Sequence, residues 1–585
     1  MGTTPGSVDR APGDVNLSDV HPGDVNPSAR RAFAGLAGAA VMISVITIFS
    51  RLLGFGRTMV FVHTAGATTV GDAYSVANTL PNVLFEVAAG GALAGALIPV
   101  ISGPLARGLR GDVDRIASAV LSWALLVLSI LAVALVALAR PVAGAFVTVA
   151  GAERDLVAQF LVVFAAQIPL YGIAVVLSGV LQAQRRFFWP AFAPVLSSVV
   201  VISAYLAFRW EVGRAGLTVS GSAVGDLPPA ALAWLAWGTT AGVAAMSLPL
   251  FVPTWRSGIR LRPTLRFPSG VARRVGGLAV AGVGALLAQQ VSILVAARLA
   301  KSYGTEGTYA TYLNVIQSVY LLPYAVLAVP LATSTFPRLA GRAAAGDRDG
   351  YARMAAATTR AVLVASGVGA AALVAAVPGV VDVFLAIADG DRTLVASMGP
   401  ALTWVAPGLL GLGLIFHVSR SLYALERGRA AVLATSLGWL TVVVASVVAC
   451  RLAVPDGRDG PATLSALAIG TSIGMTVGGA ALLVALRRAG GPGIGAGLAR
   501  TLTVLLLAGA AGSIAGRWTV DTVLTMVGSG VVGAVGAAAG GACVAVAVVL
   551  GATWLADRST FTGLLSPGRR SGSERPLEPT RSTDG

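Results

Sequence analysis

Apolar runs of eighteen or more residues recur along the whole chain, separated by short polar or basic stretches. A run of that length crosses the hydrocarbon core of a bilayer as an α-helix. The pattern predicts about fourteen such helices. They lie near residues 32–62, 72–102, 114–139, 155–182, 187–208, 229–253, 275–300, 308–337, 352–386, 396–424, 429–450, 461–486, 500–517 and 530–556. Membrane β-strands would be short and would alternate apolar with polar, which this chain does not do. The longest external segment, around Trp210–Leu227, holds about twenty residues, well below the size of a soluble domain. The fold class is therefore an all-α polytopic membrane protein, and any chemistry happens within the helical bundle or at its surface.

The second span carries a polar stripe. Ser75, Asn78, Asn82 and Glu86 step by three or four residues, so they share one face of a helix. Pro81 interrupts that helix, and Gly90-Gly91 follows. Polar groups without partners at membrane depth are costly, so the stripe faces protein or water. Two readings are open: an interhelical hydrogen-bond ladder, or the lining of a cavity. The ionisable Glu86 favours the cavity. The eighth span repeats the pattern with Thr311, Asn314 and Ser318, and Gln317 lies beside them. The seventh offers Gln289, Gln290 and Ser292.

Arg51 and Arg57 stand inside the first apolar segment. A guanidinium at membrane depth costs at least about 2.5–3.5 kcal/mol, and such residues usually face a wet cavity or a charged partner. The bland alternative is that one of them snorkels to an interface. Six residues of ideal helix turn about 600°, which leaves the two side chains about 120° apart. A straight helix would not aim both into one narrow site. Gly54 and Gly56 lie between them and permit a bend or an unwound turn. Gly54, Gly56 and Pro81 are therefore the expected hinge positions.

Prolines suggest an internal repeat. Leu80-Pro81 and Pro99 in the second span are matched by Leu322-Pro323 and Pro337 in the eighth. Pro169 before Leu181-Gln182-Ala183-Gln184-Arg185 in the fourth span is matched by Pro407 before Leu422-Tyr423-Ala424-Leu425-Glu426-Arg427 in the tenth. Matches six spans apart give halves of the same orientation, related by a pseudo-twofold axis along the membrane normal. The expected organisation is a disordered cytoplasmic tail (1–31), an N-lobe of six helices (32–255), a basic cytoplasmic loop (256–274), a C-lobe of six helices (275–490), two further helices (491–557) and a second disordered tail (558–585). The first tail repeats Pro-Gly-Asp-Val-Asn at 12–16 and 22–26.

Composition narrows the functions. Apolar residues make up 56% and charged residues 12% of the chain, against roughly a quarter charged in soluble proteins. The net charge of +16 would suggest nucleic acid in a soluble protein. Here, with the N-terminus inside, about 29 of the basic residues fall in cytoplasmic loops and tails and about 10 outside. That bias places both termini in the cytoplasm. Arg256, Arg260, Arg262, Arg266, Arg273 and Arg274 form the richest loop. Anionic lipid headgroups account for it, and for Arg569-Arg570 near the membrane, without nucleic acid. Cys450 and Cys543 lie in separate spans, and His21, His63 and His417 do not cluster, so neither a disulfide framework nor a metal centre is expected. No cofactor is implied. Lys301 is the only lysine, and no Gly-Lys-Ser/Thr phosphate loop exists, so ATP is not the expected power source. Asp389-Gly390-Asp391 and Asp456 to Asp459 read as ordinary turn residues.

Residues 50–100 resemble the MurJ/MviN family of lipid II flippases. The likeness is carried by Ser50-Arg51-Leu52-Leu53-Gly54-Phe55-Gly56-Arg57, Asp72-Ala73-Tyr74, Leu80-Pro81-Asn82-Val83-Leu84, Gly91-Ala92 and Pro99. It continues at Pro190-Ala191-Phe192-Ala193-Pro194, at Tyr351-Ala352-Arg353 with Arg360, and at Arg420-Ser421-Leu422-Tyr423-Ala424-Leu425. The resemblance implies two six-helix lobes around a central cavity, a lipid-facing groove made by the last two helices, and alternating access. It also implies export of an undecaprenyl-diphosphate-linked saccharide lipid across the cytoplasmic membrane. Arg51, Arg57 and Asp72 occupy positions matching residues the family needs, and its cavity arginines are thought to hold the diphosphate. A planar, permanently charged fork suits phosphate oxygens. Three positions depart from the family pattern. Phe85-Glu86 stands where a basic pair is usual, Ala89-Gly90-Gly91 where Ala-Glu-Gly is usual, and Ser318 where an arginine is usual.

The expected site is a substrate cavity holding Arg51, Arg57, Asp72, Asn78, Asn82, Glu86, Asn314, Gln317 and Arg360. The expected function is a lipid II flippase without a nucleotide site. The alternatives are a flippase for another lipid-linked glycan, a multidrug exporter of the same superfamily, and a transport-inactive scaffold for envelope assembly. Anionic membrane lipids and cell-wall synthesis proteins are the further candidate partners.

Overall fold

The computed structural model describes residues 27–87, 93–266, 271–388, 390–528 and 530–556. Most of the first expected tail and all of the second, including the Pro-Gly-Asp-Val-Asn repeats and Arg569-Arg570, lie outside the described residues, as do Gly90, Gly91 and Asp389.

The first lobe contains α1 (Pro27–Thr64), α2 (Thr69–Phe85), α3 (Leu93–Ala106), α4 (Arg110–Ala137), α5 (Ala139–Phe146), α6 (Ala152–Phe164), α7 (Gln167–Ala183), α8 (Phe188–Arg214), α9 (Pro229–Ser247) and α10 (Phe251–Arg256). The second contains α11 (Val271–Tyr303), α12 (Thr308–Ala310), α13 (Gln317–Pro323), α14 (Val329–Ala344), α15 (Arg348–Ile387), α16 (Arg392–Ala396), α17 (Met398–Val405), α18 (Gly408–Ala424), α19 (Gly428–Ala453) and α20 (Gly460–Gly490). The chain closes with α21 (Leu498–Val527) and α22 (Val531–Ala556), which pack on each other and on α15. Among the described residues eleven helical runs are long and apolar enough to cross a membrane, or twelve when α16–α17 (Arg392–Val405) and α18, bent by 54°, count as one span. α11, and α2 followed by α3, occupy the two remaining positions where the sequence expects spans.

The repeat seen in the prolines is built into the backbone. α7 and α18 are each 17 residues long. Each follows a short break, and each ends in the same reversal. Arg185 (φ 62°) and Glu426 (φ 58°) are the two non-glycine residues with positive φ among the described residues. Next to them the Arg186 N–H donates to Leu181 O and the Arg427 N–H to Leu422 O, both at 2.9 Å. A left-handed residue just past a helix end closes its last carbonyls and turns the chain.

Small residues set the distance between helices. On α20, Gly470, Gly474 and Gly478 form one stripe against α19. A Cβ added at Gly474 would stand 2.5 Å from the Val442 backbone nitrogen. In lipid, where no hydrophobic force drives helices together, such backbone approach supplies the packing.

The basic loop is held in place. Its extended backbone runs along α4, with the N–H groups of Arg260, Arg262 and Thr264 donating to Asp114 Oδ1 (3.1 Å), Ser118 Oγ (2.9 Å) and Ser122 Oγ (3.1 Å). Two residues of extended chain advance about as far as four residues of helix, so the two ladders stay in register.

The hinge expectation at α1 meets a different structure. α1 runs without a break through Gly54 and Gly56. Pro81 lies within α2, which ends only after Phe85. The irregular backbone is instead in the eighth span, where Thr311–Ile316 and Tyr324–Ala328 wind as π-helix. Pro323 and Pro330 lie beside the second segment and cannot donate to a regular α ladder.

Candidate functional site: a central cavity beneath an inter-lobe closure

A cavity of about 200 Å³ lies among α1, α2, α7, α8, α9 and the first π-segment. Arg57, Asn78, Asn82, Tyr171, Tyr205 and Asn314 are among its lining residues. The Tyr74 hydroxyl pairs with Tyr205 (2.8 Å) and Thr239 (3.0 Å), so a hydroxyl network backs one wall. Asn82 donates to Asn78 O at 2.8 Å, while Asn78 Oδ1 is buried without a partner. An unsatisfied buried acceptor in a polar cavity is a place for a donor from water or ligand. Arg57 is half-buried and acts electrostatically on Tyr74, Tyr171 and Tyr205.

The polar stripe divides between its two readings. Asn78 and Asn82 line the cavity. Ser75 accepts from Asn314 Nδ2 at 2.9 Å, and Thr79 meets Tyr309 OH at 3.0 Å. These two contacts tie α2 to the second lobe. Glu86 is half-buried just past the end of α2 and does not line this cavity.

The two arginines of α1 serve different lobes. Arg51 is exposed, and with Arg420 of α18 it acts electrostatically on Tyr324. Arg420 rests over the Phe416 ring at 3.5 Å, and Phe416 meets Tyr324 edge-on. The roughly 120° between the arginines sends Arg57 toward the first lobe and Arg51 toward the second, with α1 unbroken between them.

Three expected cavity residues sit elsewhere. Gln317 donates to the Tyr312 hydroxyl (2.7 Å), which pairs with Thr471 inside the second lobe. Arg360 bonds Ala496 O and fastens α15 to the turn before α21. Asp72 is fully buried in the contact between lobes. Its Oδ2 pairs with Lys301 Nζ at 3.1 Å and its Oδ1 accepts the Ala310 N–H at 2.8 Å. Lys301 also pairs with Glu153 of α6. A lone buried aspartate would be costly; a cation and a backbone donor satisfy it.

This closure extends across one end of the bundle. Thr69 Oγ1 donates to Glu306 (2.6 Å), and His63 Nδ1 meets Ile387 O (2.8 Å). Ala67 bridges Gly390 in strand fashion. Gly307 (φ 80°) and Gly390 (φ 124°) clamp it, since a Cβ on either would come within 2.5 Å of the Ala67 backbone. Asp391 and Asp459 cap α16 and α20, the turn roles their sequence suggests.

The sequence reading missed Lys301, Glu153, Tyr205 and Arg420 as parts of these sites. A signal existed for Tyr74, which continues the Asn78–Asn82 face at helical spacing. The others meet their partners only through long-range packing.

Two helical lobes, a polar cavity built by the first lobe with Asn314 of the second on its wall, and a closure between the lobes at one end are the architecture of a membrane transporter. A family model described as "Lipid II flippase MurJ" matches residues 61–533. The chain belongs to this MurJ family. It is 25% identical over 406 residues to "Lipid II flippase MurJ" of Burkholderia cenocepacia, covering 66% of this chain and 73% of that one. It is 27% identical over 318 residues to "Probable lipid II flippase MurJ" of Rhizobium meliloti, covering 53% and 54%. Among solved structures, "Lipid II flippase MurJ, inward closed conformation" matches with a TM-score of 0.68 at 18% identity, over 89% of this chain and 100% of that one. An inward-facing multidrug resistance MATE family transporter of the MOP superfamily matches at 0.59 and 16% identity, over 77% and 98%. At these identities the structural likeness is one of fold.

Proposed function

We propose that this protein is a flippase that carries a polyprenyl-diphosphate-linked peptidoglycan precursor, lipid II, from the inner to the outer leaflet of the cytoplasmic membrane by alternating access. The carrying observation is Arg57 in a cavity lined by amides and phenol hydroxyls, with the buried acceptor Asn78 Oδ1 free. Arg57 holds the diphosphate, and the amide and hydroxyl walls hold the polar headgroup. An exporter of apolar drugs would want aromatic walls without a fixed cation.

Both termini are cytoplasmic on the basic-loop bias. The Asp72–Lys301–Glu153 closure is then the external gate, and Arg51 with Arg420 is the cation pair the diphosphate meets on the way to Arg57. Gly54 and Gly56, whose added Cβ atoms would meet nothing within 4 Å, and Pro81 are the positions at which α1 and α2 bend when the lobes rock. The strapped basic loop rests on anionic lipids of the inner leaflet.

Direct binding of the purified protein to a panel of undecaprenyl-diphosphate lipids tests this reading. Lipid II binding that Arg57→Ala weakens is the expected result. Equal affinity for undecaprenyl diphosphate bearing another glycan would move the assignment to that cargo.

A further inference from the structure

Away from the central cavity, α15 forms the floor of a groove walled by α17 and α21. The groove holds about 560 Å³, a size typical of small-ligand sites. Arg517, Asp382 and Asp521 line it, and the exposed Trp404 stands at its edge. No hydrogen bond or ion pair ties any of these three charges to another described residue. Asp382 and Asp521 lie about 8–9 Å, and Arg517 about 15 Å, before the ends of their helices at 1.5 Å per residue. In a membrane-spanning helix, positions within about three turns of the end approach the level of the lipid headgroups. Charged side chains there take a partner, and tryptophans such as Trp404 and Trp518 mark the same level.

We propose that this groove binds the headgroup of a zwitterionic aminophospholipid, with the phosphate on Arg517 and the ammonium between Asp382 and Asp521. The charge pattern selects that class. A purely anionic headgroup would meet one guanidinium and two repelling carboxylates. A purely cationic one would leave Arg517 bare. A phosphate suits the guanidinium fork, and an ammonium brings three donors to two carboxylates. Val377, Pro378, Val381 and Pro400 give the glycerol and first acyl carbons an apolar floor. The walls are prebuilt: a Cβ on Gly516 would come within 2.5 Å of the Ala375 Cβ, and one on Gly399 within 3.3 Å of Val381. None of the helices that line the groove lines the Arg57 cavity, so the two sites are separate.

The test is native mass spectrometry of the full-length protein in detergent, titrated separately with phosphatidylethanolamine, phosphatidylglycerol and undecaprenyl diphosphate. Phosphatidylethanolamine is expected to bind, and Arg517→Gln or the Asp382→Asn/Asp521→Asn pair to weaken it about tenfold or more, with Arg517→Lys between. All variants are expected to keep the parent melting temperature in lipid-free detergent. Three results would overturn the proposal: binding unchanged by the substitutions, phosphatidylglycerol or undecaprenyl diphosphate binding equally tightly through Arg517, or variants that melt early without lipid. The last would make the charges structural.

Discussion

Lys301 Nζ lies 3.1 Å from Asp72 Oδ2 across the lobe boundary, with side-chain exposures of 3% and 0%. The only lysine of the chain thus neutralises a carboxylate that pairs with no other cation among the described residues. Removing one member of such a buried pair leaves an uncompensated charge and costs about 3–5 kcal/mol. Lys301→Met should therefore lower the melting temperature sharply and loosen the closure. Glu153→Gln should cost less, because Asp72 keeps its lysine. The double variant Asp72→Asn/Lys301→Met should recover part of the loss. Melting curves of the three proteins check this ordering.

Gly307 and Gly390 should tolerate no side chain while the lobes are closed at this end. Gly307→Ala would place its Cβ 2.4 Å from the Ala67 carbonyl carbon, on a backbone with φ of 80°. The strain falls on the closed state alone, so the substitution should shift the population toward separation of the two lobes there. Spin labels on the α1–α2 and α15–α16 turns should report longer distances. Unchanged distances would rule out the clamp.

Arg57→Ala should abolish transport while leaving membrane insertion intact. One lost charge-assisted phosphate contact removes roughly 1.5–3 kcal/mol of binding. Arg57→Lys should rescue only in part, since a point charge cannot form the fork. Arg51→Ala should also abolish transport, yet leave equilibrium binding in the Arg57 cavity closer to normal, because Arg51 faces Tyr324 instead. Growth of cells dependent on this gene, read beside lipid binding in vitro, separates the two effects.

Cysteines at Asn78 and Asn82 should react with a hydrophilic thiol reagent added to the open side. A cysteine at Leu80, which is buried on the opposite face, should be protected. A cysteine at Glu86 should label independently of substrate bound beside Arg57, since Glu86 lies outside that cavity. Equal labelling at 78 and 80 would dispose of the cavity-facing stripe.

Outward movement of a negative diphosphate headgroup should be assisted by the membrane potential, by about 2.3 kcal/mol per net charge per 100 mV. Only net charge moved over a full cycle counts, so an arginine travelling with its substrate reduces the assistance in that step. With serine at position 318, where the resemblance to the family implies an arginine, the loaded carrier is expected to be more negative. Collapsing the potential in proteoliposomes, with ion gradients clamped, should slow flipping. Flipping that ignored voltage and followed a sodium or proton gradient would point to ion-coupled return.

The sequence by itself determined the class of protein, most span positions, the repeat and the stripe. Each is a local or periodic property: a twenty-residue apolar run must be helical in lipid because its backbone has no other hydrogen-bond partners. The spacing of Asn78 and Asn82 likewise fixed their common face before any packing was known. Tertiary structure decided where charged residues go. Asp72 looked like a cavity residue and sits in the contact between the lobes, because Lys301, itself paired with Glu153, and the Ala310 N–H reach it from far along the chain. Gly54 and Gly56 permit a bend that α1 does not take in this conformation, where the unbroken helix presents one arginine to each lobe. Arg360 looked like another site cation and bonds a carbonyl of the turn before α21. Helix propensity and hydropathy are summed over neighbours in sequence, whereas a charge at membrane depth is placed by whichever partner the fold brings within hydrogen-bonding distance.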